Sequence, residues 1–157
     1  MSALHIFEHA PLGALIHFSD GTPRPPARFN RKVSAWENYN GSGRLTAKQP
    51  RRLIGNHWMP AGFQLHLGNY GSGGVTILTV TRHYQLTSPL TFEIIEVPQA
   101  GMVRVLTEWN DTVESRHLAA NMVAAEAWAA EHRYSGMRFE VVEAGEADRF
   151  LELRRAA

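Results

Sequence analysis

The sequence predicts an α+β fold: a mainly antiparallel β-sheet of about five or six strands, one long C-terminal helix packed on it, and a second, N-terminal helix. Three observations carry this. Residues 63–109 alternate apolar and polar side chains in runs joined by connectors too short for crossovers. Residues 26–39 and 112–134 repeat apolar side chains at helical spacing. Finally, 157 residues with no internal repeat and no low-complexity linker make one domain, spanning 1–157.

Taken in order, Leu15 to Phe18 reads as a short strand stopped by the Ser19-Asp20-Gly21 turn, where Asp-Gly supplies local hydrogen bonding and positive φ. Pro25 and Pro26 suit a first helical turn. Phe29, Val33, Trp36 and Asn40 then share one face of a helix at 26–39, with Arg28, Arg31, Lys32 and Tyr39 on another. Gly41 is its expected left-handed cap. A short strand at 44–48 precedes residues 49–62, whose two prolines and lack of period predict a surface loop.

The strand signals then concentrate. Phe63, Leu65 and Leu67 point one way, Gln64 and His66 the other. Along 75–86, Leu78, Val80, Tyr84 and Leu86 share a face while Val75 and Ile77 occupy the opposite one, which predicts that the first half of this strand is covered on both sides. Phe92, Ile94, Ile95 and Val97 reach one side only through a β-bulge at Ile94-Ile95. Val103, Val105 and Trp109 alternate in the next run, and these four strands are expected to form a meander. Asp111 and Glu114 read as a capping box for the helix at 112–134, with Leu118, Met122, Ala125 and Ala129 as its stripe and Gly136 closing it. A strand follows at 137–143, and a right-handed crossover from Val103 through the helix to Val142 would set one parallel pair. Residues 147–157 read as a short terminal helix or a frayed tail.

Several chemistries are excluded. The absence of cysteine removes disulfides, thiolate nucleophiles and cysteine-ligated metals, and fits a reducing cytoplasm. No window approaches the ~18 apolar residues of a spanning helix, and residues 1–18 lack the basic start and unbroken apolar core of a signal peptide; a cytoplasmic protein without membrane contact is expected. The glycine-rich run from Gly68 to Gly74 lacks the lysine of a phosphate loop and leads into a β-branched strand rather than a helix, so it is a hairpin bend. Ser72 is no nucleophile elbow, because Tyr70 stands where that motif needs glycine. Eight histidines without an HExxH motif predict neither metal nor cofactor. Glu93 and Glu96 lack the lysine that follows the acids of metal-dependent nucleases, Pro98 occupying that position, and read as strand-surface charges.

Charge is the remaining lead. Residues 1–60 hold eight Arg/Lys against three Asp/Glu, and residues 61–157 eight against twelve. Fourteen of the sixteen cations are arginine, which favours bidentate contacts with phosphate and carboxylate, although a GC-rich genome produces the same bias. Arg28, Arg31, Lys32 and Tyr39 on the helix, Arg44, and Arg51, Arg52 and Trp58 in the loop combine clustered cations with stackable rings. Such a surface suits nucleic acid, or an acidic or nucleoprotein partner. His57, with Asn56 beside it, is the candidate for general acid–base work on a phosphodiester.

The stretches "FSDGTPRPPARFNRKVSAWENYNGSGRL" and "LAANMVAAEAWAAEHRY" resemble segments of small uncharacterised accessory proteins of bacterial integrative and conjugative elements or plasmids. That resemblance implies a genetic context, in which DNA-processing accessories and inhibitors of host defence both occur, and transfers no site residue. Three function classes follow. The first is a non-enzymatic binding protein of mobile-element type, engaging nucleic acid or a nucleoprotein complex through the basic N-terminal half. The second is a protein–protein inhibitor or adaptor, such as a counter-defence protein, without nucleic-acid contact. The third is a phosphodiester hydrolase using His57. A polar sheet face with Gln64, His66 and His83 is left open as a site.

Overall fold

The computed structural model describes residues 1–149. The chain forms α1 (Ala3–His9), β1 (Leu15–Ser19), α2 (Asn30–Glu37), β2 (Gly41–Gln49), β3 (Arg52–Ile54), β4 (His57–Met59), β5 (Gly62–Ser72), β6 (Val75–Gln85), β7 (Thr91–Glu96), β8 (Val103–Trp109), β9 (Thr112–Ala119), α3 (Met122–Glu131) and β10 (Arg138–Val141). Residues 144–149 are helical, and the rest of the expected terminal helix lies outside the described residues. Eight strands make one sheet, β3 and β4 a separate ribbon, and every pairing is antiparallel. The fold is thus strand-rich with short helices, which corrects the expected α+β sheet with one long C-terminal helix.

The error lies in the chain after Trp109. Asn110 and Asp111 take φ of 47° and 59°, a two-residue turn that folds β9 back on β8 and sets Trp109 opposite Thr112. Asp111 is therefore a hairpin residue and not a cap, and Glu114 sits on a strand. The real N-cap is Asn121, whose side chain accepts from Ala124 N at 2.9 Å; α3 is only ten residues long. Because β9 reverses the chain before α3 carries it back, β10 returns antiparallel to β8, and the expected parallel crossover is absent. The meander also fails, because β7 pairs with β1 and with neither β6 nor β8. The bulge is present: Ile16 faces Ile94 while Leu15 faces Glu96, which buries Phe92, Ile94 and Val97 and turns Ile95 outward.

Two further elements differ. Helix α2 begins at Asn30, because Pro26 C=O accepts from Phe29 N at 2.9 Å in a turn that precedes it. Gly41 opens β2 instead of capping α2; a Cβ there would lie 3.1 Å from the Phe18 ring, so glycine serves close approach. The expected loop at 49–62 contains the ribbon β3–β4.

The main core packs α1 against the sheet through Ile6, Ile16, Phe18, Leu45, Phe63, Leu65, Tyr84, Phe92 and Ile94. Phe63 and Tyr84 each meet Phe92 edge-on at 5.3 Å between centroids, a geometry that adds to their burial. A second core of Val103, Val105, Ala119 and Ala125 lies under α3. The sheet forks between the two. One edge of β2 pairs with β1 up to Arg44 and with β9 at Ala47, while its other edge carries β5. At the fork Arg44 donates to Gly13 O at 2.6 Å and Arg104 donates to Leu12 O at 2.7 Å. Arg104, buried on β8, also binds Glu140 at 2.9 Å and Glu146. No helix among the described residues is long and apolar enough to cross a membrane.

Candidate nucleic-acid interface

Charge is distributed more sharply than a division at residue 60 shows. Residues 21–92 contain nine Arg/Lys and a single carboxylate, Glu37, a net of +8. This stretch folds into α2, β2, the ribbon, and the β5–β6 hairpin with its absence of carboxylates. The signal was present in the sequence but hidden by counting residues 61–92 with the acidic C-terminal part.

Helix α2 buries none of its residues. Two anchors hold it: the Trp36 indole N–H donates to Thr22 O at 2.9 Å, and the buried Asn40 amide donates to Trp36 O and Asp20 Oδ1. Asn40 Oδ1 accepts from Ser19 Oγ at 2.6 Å. The Asp20 carboxyl is held below its ordinary pKa by the Thr22 hydroxyl and amide and by Asn40, which fixes the predicted Ser19-Asp20-Gly21 turn. Arg82 of β6 donates to Asn38 O, joining the hairpin to this end of the molecule.

On this platform Arg28, Arg31 and Lys32 are all exposed. Arg28 and Lys32 flank the exposed Phe29 ring at 4.8 and 5.2 Å, so charge and a stackable ring occupy one spot. Tyr39 is 58% exposed. The only acid in the stretch, Glu37, pairs with Arg24 at 3.6 Å, and Arg28, Arg31 and Lys32 have no ion pair among the described residues.

The remaining predicted residues lie elsewhere. Arg51, Arg52, His57 and Trp58 are on or beside the ribbon, which leaves the far end of β2 from α2. Eight residue steps along β2 separate the two ends by about 26 Å. Arg51 stacks over Trp58 at 4.5 Å beside an apolar cleft of ≈ 370 Å³ lined by Pro60, Ala61, Gln85 and Leu86. Arg44, between the two ends, is occupied by Gly13 O and by Glu96 at 3.4 Å. The structure therefore places Arg28 and Lys32 about Phe29, with Arg31 next to Lys32 on α2 and Tyr39 next to Asn38, whose carbonyl Arg82 binds; Arg28 and Tyr39 fall just outside α2, and Arg51, Arg52 and Trp58 lie at the other end of β2.

His57 is exposed on β4, with no side-chain partner among the described residues to orient it. On the sheet face, Gln64 binds Thr46 and Glu114, His66 meets Asn69 at 2.8 Å, and burial lowers the His83 pKa. Burial likewise lowers that of Lys48. Among the described residues no group of three or more His, Asp or Glu is placed to hold a metal ion.

A family model described as "Uncharacterised conserved protein UCP036055" matches residues 1–146, and the chain belongs to that family. The description names no activity and nothing in it bears on mobile elements. Neither the curated proteins nor the solved structures contain a match.

Proposed function

For this member of the family, we propose a non-enzymatic module that binds nucleic acid at the α2 end, in a reducing, cytoplasmic compartment. The supporting observation is the run of nine cations against one carboxylate, whose α2 members stand exposed beside Phe29 and Tyr39. Phosphates take the cations, and unpaired bases stack on the rings. Two carboxylates stand at this end: Glu37 pairs with Arg24 and Asp20 accepts from Thr22 and Asn40, so both are engaged by groups other than Arg28, Arg31 and Lys32.

Mobility-shift titrations of single-stranded and duplex oligonucleotides test this, comparing the wild type with Arg28→Ala/Arg31→Ala/Lys32→Ala. The three positions are exposed, so the melting temperature should hold while affinity falls at least about tenfold. Equal affinity of the two proteins would remove α2 from the interface. Failure of the wild type to bind either oligonucleotide would favour a protein partner instead.

A further inference from the structure

The strand Val75–Gln85 is patterned for burial on both faces, yet its first half is bare. Val75, Ile77 and Leu78 are 66%, 76% and 56% exposed, and Tyr70, opposite Leu78 on β5, is 62% exposed. This corrects the expectation that the half is covered on both sides. Strand β5 loses its β2 partner beyond His66, and β6 pairs only with β5 among the described residues, so the distal hairpin projects as an arm. Gly73 and Gly74, with φ of 61° and 79°, close its tip. Ile77 is an extra residue on β6, since Tyr70 faces Leu78 while Gly71 faces Thr76.

The arm has two unlike faces. Between Leu78 and Tyr84 strand β6 is regular, so Leu78, Val80 and Arg82 lie on the same face as Tyr84, which packs in the core. Tyr70 and Val75 join that face, being opposite Leu78 and Ser72, whereas Thr76, Thr79 and Thr81 occupy the other. The Tyr70 ring is laid back along its own strand: a Cβ at Gly68 would lie 3.5 Å from Tyr70 Cε2 and 3.6 Å from its Oη. The ring is thus seated on the sheet and open to solvent. Arg82, on this same face, lies over the Phe18 ring at 5.9 Å and donates to the carbonyl of Asn38, the C-cap of α2. The apolar face of the arm therefore runs on from the end of α2.

Granted the nucleic-acid reading of α2, on which this rests, we propose that the arm is a base-contacting platform for a single strand. An unpaired base stacks on Tyr70 beside Leu78 and Val75, while the α2 cations hold phosphates of the same strand. Stacking on an exposed ring takes any base, because every base has a π-face. Leu78 lies four residues beyond Arg82, about 13 Å, a span of about four stacked nucleotides. Residues 38–92 contain five Arg/Lys and no carboxylate, so neither the arm nor its base repels a polyanion. The exposed parts of Tyr70, Val75, Ile77 and Leu78 amount to on the order of 500 Å², short of the ~800 Å² that each partner gives to a standard protein–protein interface. One seated ring is enough for a base.

Fluorescence anisotropy of the full chain with a labelled thymidine strand of about twelve nucleotides, and with an abasic strand carrying the same phosphates, tests the proposal. The wild type should bind the base-bearing strand on the order of tenfold more tightly. Tyr70→Thr keeps strand propensity and removes the ring. It should lose that tenfold on the base-bearing strand, keep wild-type affinity for the abasic one, and leave the salt dependence of both unchanged. Tyr70→Phe keeps the ring and should bind as the wild type does. Arg28→Ala/Arg31→Ala/Lys32→Ala should instead weaken both strands, which separates the arm from α2. Tyr70 is exposed, so circular dichroism and melting confirm the fold of each variant. A wild type that binds the two strands equally, or a Tyr70→Thr that weakens on both alike, overturns base stacking on the arm. Tyr70→Thr binding both strands as the wild type does also overturns it, leaves the α2 reading in place and gives the arm to a protein partner. A wild type that binds neither strand removes the α2 reading and this proposal with it.

Discussion

Replacing Arg104 with methionine probes how the forked sheet is held together. The Arg104 side chain is 5% exposed and binds Leu12 O, Glu140 and Glu146. Methionine fills much of the volume but donates nothing. Leu12 O then loses its donor at the fork, a cost of about 1–3 kcal/mol. Glu146, with only 24% of its side chain exposed, is left beside an apolar neighbour at a cost of about 1–2 kcal/mol. Glu140, 44% exposed, turns to water at little cost. The total is about 3 kcal/mol, at the low end of the values for stripping one member from a buried ion pair. For a chain of this length that lowers Tm by about 6–12 °C. Arg104→Lys keeps the charge without the planar fork and should lose about half as much. Urea and thermal unfolding followed by circular dichroism at pH 7 measure both. A loss below about 1 kcal/mol for Arg104→Met would refute the reasoning, because the fork would then be held by backbone pairing alone.

Three other outcomes are expected. The buried Tyr84 hydroxyl has no partner within full hydrogen-bond geometry among the described residues, and burial raises its pKa while the nearby Arg82 guanidinium, through hydrogen bonding and charge, works the other way; Tyr84→Phe should leave stability unchanged or raise it by about 1 kcal/mol, and a loss of that size in urea unfolding would contradict this. Asp111 holds a φ of 59°, so Asp111→Gly should stabilise by about 0.5–1 kcal/mol in the same assay, and a loss would argue against the two-residue turn. Burial, then the nearby His132, lowers the pKa of His117, which stacks on Trp128 at 4.8 Å; burial also lowers that of His83. Their neutral forms are favoured in the folded chain, so stability is full above the unfolded value of 6.5 and falls as pH drops below it towards the lowered folded values. The urea midpoint should be lower at pH 5 than at pH 7.5, and a higher one would reverse the sign.

What could be read from residues was the local alternation; what could not was which strands meet. The runs at 63–67 and 75–86 and the bulge at Ile94-Ile95 follow from period and turn chemistry, and the structure contains them, although Ile95 stays outside the core; the hairpin bend expected over Gly68 to Gly74 shrinks to Gly73-Gly74, because β5 runs on to Ser72. The helix expected at 112–134 failed because Asn-Asp is an ambiguous signal: it caps helices and also tolerates the positive φ of a hairpin turn. Pairing of β7 with β1 spans some seventy-five residues of sequence and leaves no local trace, so short connectors were a poor guide to the meander. The candidate interface was half legible. Arg28, Arg31, Lys32 and Tyr39 are grouped by helical spacing, whereas their separation from Arg51 and Trp58 depends on the direction in which β2 runs. Arg44 looked free in the sequence and is tied to Gly13 and Glu96 by the fork.

The central claim is that a cationic surface at the α2 end binds phosphate. The direct measurement is fluorescence anisotropy of a labelled oligonucleotide titrated with wild-type protein at several salt concentrations. If Arg28, Arg31, Lys32 and Arg82 each neutralise a phosphate, the slope of log K against log salt on duplex should be about −3 to −4. A slope near zero, or no binding at 50 mM salt, would contradict the account.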